Sequence, residues 1–71
     1  MSSIGEDRVG LEFNPSGNQE VTATKVAMAH EIDNLQRIVD HGGEAGRAAA
    51  IAQTKIEGAC MWAVKAITKN L

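Results

Sequence analysis

Residues 44–71, EAGRAAAIAQTKIEGACMWAVKAITKNL, are apolar on too many sides for a helix bathed in water. A surface helix needs one apolar stripe. Read at helical spacing, this run shows two. Ala52, Ile56, Ala59, Ala63, Ala66 and Ile67 form one face, and Ala48, Ile51, Met61 and Trp62 wrap beside it. The first can close against another helix of the same chain. The second calls for a further partner, so the chain is expected to be an oligomer. Length supports this, because 71 residues lie near the lower limit for a stable lone core. Cys60 is the single cysteine, which leaves no disulfide framework or zinc quartet to staple the fold.

Upstream, Asn14-Pro15-Ser16-Gly17-Asn18 punctuates the chain. Before it, Met1 to Gly10 reads as a flexible start. Val9, Leu11 and Phe13 alternate with Gly10 and Glu12, the period of an extended arm with its apolar side turned inward. After it, Ser16 and Gln19 have capping-box spacing, with Asn18 a competing cap. Val26, Ala29, Ile32, Leu35 and Ile38/Val39 then recur at three- and four-residue steps, which predicts a first helix over about 19–41. Gly42-Gly43 stops it, and a second helix is expected over about 44–69. The fold class is therefore all-α. A single domain over 1–71 has an arm (1–17) and an antiparallel helical hairpin, assembling into a compact homo-oligomer.

Charge narrows the choice of partner. The net charge is −2, and three stretches share it unevenly: 1–18 sum to −2, 19–43 to −2 and 44–71 to +2. An acidic balance argues against DNA binding. The mildly basic second helix suits a small anion better. No apolar run approaches membrane-spanning length, and the N-terminus lacks the apolar core of a signal peptide. A lone thiol fits a reducing cytoplasm.

Nothing in the chain assembles into catalytic chemistry. His30 and His41 stand three turns apart, Glu31 and Asp33 point to different helix faces, and no base is spaced to activate Cys60. No metal site or cofactor is expected. Phe13-Asn14-Pro15-Ser16-Gly17 is more suggestive. An aromatic ring before a polar loop and a helix N-terminus can stack on a base, bind polar edges and favour a phosphate. Phe13 can equally serve as a staple on the first helix near Val21. Lys25, among Val21, Val26 and Ala29, either snorkels to solvent or points into an intersubunit pocket. Trp62 and Cys60 read as structural core.

FNPSG (Phe13 to Gly17), Lys25 and the segment TKIEGACMWAVKAI (Thr54 to Ile67) together resemble the phage anti-CBASS cyclic-oligonucleotide sponge family. Its helical hairpin is shared with anti-Thoeris sponges that sequester cyclic ADP-ribose isomers. The resemblance implies homohexamers of interlocked dimers that bind cyclic dinucleotides such as cGAMP between protomers. Some members also hold cyclic trinucleotides at separate threefold sites. The ligand is sequestered and not cleaved, in the cytoplasm of the infected bacterial host, so the CBASS effector is not activated. By the same resemblance Phe13 stacks on a base, within a loop completed by Asn14, Pro15, Ser16 and Gly17. Lys25 contacts phosphate, and Gln53 and Thr54 mark the trinucleotide site. Better-known members carry an arginine at the place of Gln53. The alternative from another class is a helical-bundle protein–protein interaction module, adaptor or antitoxin-like, that works through the second helix.

Overall fold

The computed structural model describes residues 2–12 and 17–69. Three helices follow in order: α1 (Ile4–Val9), α2 (Gln19–His41) and α3 (Gly43–Lys69). The long pair forms the expected antiparallel hairpin. Asn18 is the cap that α2 uses, its side chain accepting from the Val21 amide at 3.1 Å. At the far end, Gly42 (φ 78°) and Gly43 (φ 69°) take two consecutive left-handed conformations. Residues with a Cβ rarely adopt these, so the pair of glycines is what lets so short a link reverse the chain.

The start of the chain is not a flexible extended arm. Ile4–Val9 is helical and carries complete start and stop signals. The Ser3 hydroxyl accepts from the Glu6 amide while the Glu6 carboxylate accepts from the Ser3 amide. Beyond Val9, the Gly10 amide bonds Asp7 O and the Leu11 amide bonds Glu6 O, a Schellman stop. Alternation of Val9, Leu11 and Phe13 suggested a strand-like period because a six-residue helix is too short to display its own. A helix that short is marginal alone, so tertiary contacts must hold it. The closest is at Gly5, whose amide donates to Asp33 Oδ1 at 2.7 Å. A Cβ there would lie 2.1 Å from the Ala29 carbonyl oxygen, so only glycine lets α1 lie this close to α2.

The α2–α3 seam follows a stripe shifted from the expected one. On α2 the buried positions are Val21, Lys25, Ala29 and Ile32, while Val26 is exposed. On α3 they are Gly46, Ala49, Gln53 and Cys60, with Ile56, Val64 and Ile67 half-buried beside them. Apolar residues alone misplace both stripes, because each seam includes a polar side chain at a buried step.

The molecule measures 43 × 25 × 12 Å. The short α1 lies against both long helices, so the fold is a helical hairpin with a third helix docked on it. Its surface of 5010 Å² exceeds the roughly 4,200–4,300 Å² typical of a compact monomer of this mass. Ile51 and Trp62, exposed on the outer side of α3, and Met61, exposed beside the α1 end, account for part of that excess. Trp62 is therefore not core within the chain, whereas Cys60 is. No described helix is long and apolar enough to cross a membrane.

Candidate functional site

Where α1 ends against the hairpin, a cleft of about 500 Å³ opens between all three helices. The last turn of α1 gives one wall through Asp7, Arg8, Val9 and Gly10. Lys25 of α2 forms the back, and Glu57, Cys60, Met61 and Val64 of α3 form the opposite wall. These positions are set by helical spacing. Lys25 lies on the same inward stripe as Val21, Ala29 and Ile32, so a charged side chain is carried into the seam. Glu57, Cys60, Met61 and Val64 recur at three- and four-residue steps, which puts them on one side of α3.

Lys25 is the centre of the cleft. It is only 6% exposed, and its ammonium donates to the Gly10 carbonyl at 2.9 Å. That carbonyl lies just past the C-terminal end of α1, where backbone acceptors are not used within the helix. A buried ammonium is costly without such a partner. The arrangement aims a positive donor at a point where an oxygen acceptor is already accommodated, and a phosphate oxygen is an acceptor of the same kind.

Arg8 is the second cation. Its Nε donates to Glu57 Oε1 at 2.8 Å, Nη1 to Gln53 Oε1 at 3.1 Å and Nη2 to Thr54 Oγ1 at 3.4 Å. Two cations, Arg8 and Lys25, thus face two carboxylates, Asp7 and Glu57, and the cleft is locally balanced. Cys60 lines the same space. Burial pushes its thiol above the ordinary range, the charge of Lys25 opposing this in part. A raised thiol is a weak nucleophile. Among the described residues no three His, Cys, Asp or Glu side chains gather as a metal site would require. Polar recognition and enclosure are what this arrangement can perform.

A family model described as "Acb2/Tad1, hairpin domain" matches residues 5–68, which takes in nearly all of α1, the cleft and the hairpin. The chain belongs to the Acb2/Tad1 hairpin family. This is the anti-CBASS and anti-Thoeris sponge family, whose general function is to bind cyclic nucleotides without catalysis. No curated protein and no solved structure is significantly similar to the chain.

Within this member of the Acb2/Tad1 family, the residues singled out from the sequence fall in different places. Phe13, Asn14, Pro15 and Ser16 lie outside the described residues. Gly17 is exposed and left-handed (φ 65°), directly before the Asn18 cap of α2. Lys25 is buried in the cleft and does not snorkel. Gln53 is buried within the seam, its amide donating to Ile32 O at 2.9 Å and to Gln36 Oε1 at 3.0 Å. It therefore acts as a clamp between the long helices. Thr54 is exposed beside it and back-bonds to the Ala50 carbonyl at 3.3 Å. Lys65 sits with its Nζ 4.8 Å from the Trp62 ring centroid, a cation–π pair on the outer face.

Sequence reasoning passed over Arg8, Asp7 and Glu57. Their signal was present in Ser3-Ile4-Gly5-Glu6, a capping box whose helix carries Asp7 and Arg8 on its next turn. The family resemblance begins only at Phe13 and so gave α1 no weight. Arg8 joins the cleft to Gln53 and Thr54, two places that the sequence treats as separate sites.

Proposed function

We propose that this chain is a phage-encoded sponge that binds and sequesters cyclic dinucleotides, cGAMP foremost, and so denies CBASS effectors their activator in the infected bacterium. The observation that carries the proposal is the buried Lys25 ammonium at the back of a 500 Å³ cleft, in a chain of the Acb2/Tad1 hairpin family. A sponge needs affinity and no bond-breaking step. Lys25 supplies a charge-assisted hydrogen bond to phosphate, worth about 1.5–3 kcal/mol. Phe13, two residues beyond Leu11, supplies base stacking of about 1–3 kcal/mol per base, with Asn14, Pro15, Ser16 and Gly17 completing the loop.

The working form is a homohexamer built through the outer face of α3, in which a twofold pair of subunits presents two Phe13 rings and two Lys25 ammoniums to one ligand. Cyclic trinucleotides are a second ligand class, with Thr54 and the neighbouring Gln53 contributing. Calorimetry against cyclic di- and trinucleotides and cyclic ADP-ribose isomers tests the assignment. Binding of cGAMP, with intact ligand recovered after the complex is denatured, supports it. No binding of any of these at micromolar protein sinks it.

The exposed Met61 and Trp62 favour one second reading, a protein–protein interaction module acting through α3. Phe13→Ala combined with Lys25→Ala separates the two. Loss of ligand binding with the assembly intact supports the sponge, and loss of a protein partner alone supports the module.

A further inference from the structure

We propose that Arg8 is the positioning residue of the cleft, a strut that fixes α1 against α3 and so sets the place of the Gly10 carbonyl and the Lys25 ammonium; the inference rests on the sponge reading for its ligand. α1 is too short to hold itself. It meets α2 through the Gly5 backbone, against Ala29 and Asp33, and through Val9, which joins Ala29, Ile32 and Cys60 in the core. Its polar contact with α3 is the Arg8 fork, which spans Gln53, Thr54 and Glu57 over one turn of that helix. A planar guanidinium directs its donors from three separate nitrogens in fixed directions and so reaches acceptors spread over a helical turn, whereas a lysine's three donors radiate from a single atom. Gln53 is itself buried and bonded to Ile32 and Gln36, so the fork is anchored on a side chain that the hairpin already holds.

Two residues after Arg8, the Gly10 carbonyl receives the Lys25 ammonium. Leu11 is pinned in turn by its amide bond to Glu6. Releasing Arg8 lets the α1 end swing, which widens the cleft and moves the carbonyl partner of Lys25. Arg8 thus acts through Lys25, with its own donors engaged by the protein.

The test uses the full chain and cGAMP as the probe. In Arg8→Ala, the Gly10 and Leu11 amides should exchange about tenfold faster or more, and cGAMP affinity should fall by a similar factor, as expected for loss of a charge-assisted bond. Seam amides of α2 and α3 away from α1, such as those around Ala49, should keep wild-type protection, showing that the hairpin stays folded. Arg8→Lys, which retains the charge opposite Glu57 but not the fork, should fall between wild type and Arg8→Ala in both measurements. Unchanged exchange at Gly10 and Leu11 overturns the strut, and so does weakened cGAMP binding with exchange unchanged, since that marks Arg8 as a direct ligand contact. If wild-type protein binds no cyclic nucleotide, the sponge reading falls, and exchange in the unliganded variants still decides whether Arg8 holds α1.

Discussion

The inner face of α3 carries Ala49, Gln53 and Cys60, all buried, whereas its outer face carries Ile51 and Trp62 at 49% and 69% exposure. One helix therefore presents its polar clamp inward and its largest apolar side chains outward, the reverse of what a lone globular chain would do. On the inner face, small residues let α2 and α3 approach, and every buried side-chain nitrogen or oxygen of the described residues finds a hydrogen-bond partner. Trp62 and Ile51, on the side of α3 turned away from α2, have no element of the described residues over them. Burial here measures a side chain's place in the hairpin, and the outer face is suited to contacts between chains.

Four substitutions can break or sharpen that contrast. The largest effect belongs to Ile32→Ala. Ile32 is 0% exposed and is, among the described residues, the one large side chain that is fully enclosed, so its truncation should cost about 2–5 kcal/mol in urea unfolding. Gln53→Ala should follow, at about 1–3 kcal/mol, because it removes the donor to the Ile32 carbonyl and an acceptor of Arg8. A cost near zero would mean that the seam is held by apolar contact alone. On the other side of the comparison, Trp62→Ala should leave unfolding of the separate chain within about 0.5 kcal/mol while shifting sedimentation toward smaller species. A large loss of chain stability with unchanged sedimentation would erase the distinction between the faces.

The smallest effect concerns pH. Burial raises the Cys60 thiol, so the folded chain holds that proton to higher pH than the unfolded chain, whose thiol titrates near about 8.5. The associated stability is fully present below that value and declines as pH rises through the folded pKa. Urea midpoints of wild type should therefore fall more steeply above about pH 8.5 than those of Cys60→Ala. Parallel curves would show that the thiolate is tolerated in the seam.

Much of the hairpin was legible in the residues. Gly42-Gly43 marked the reversal, the three- and four-residue steps marked both helices, and the surplus apolar face of α3 marked its exposed side. Lys25 was legible as a residue of interest but not as buried, since a lysine among apolar neighbours ordinarily keeps its head in water. What changed its environment was the α1 end, 15 residues earlier, whose Gly10 carbonyl meets it. Gln53 was legible through the resemblance as a mark of the trinucleotide site but not as a buried clamp, because a buried amide is tolerable only where acceptors on another helix are placed to meet it, and Ile32 and Gln36 lie 17 to 21 positions away.

The sequence by itself determined the local and periodic features: helix starts and stops, the glycine turn, the absence of a covalent staple, and the apolar excess that one chain cannot bury. These depend on neighbours within a turn or two, so a linear reading reaches them. Tertiary structure decided which polar side chains are enclosed and what they hold. Arg8 meets Glu57 across 49 positions, Gly5 meets Asp33 across 28, and Lys25 finds its carbonyl only once α1 is docked. Buried charge and buried amide are set by partners distant in sequence, because desolvation is compensated only when donor and acceptor arrive at the same point in space.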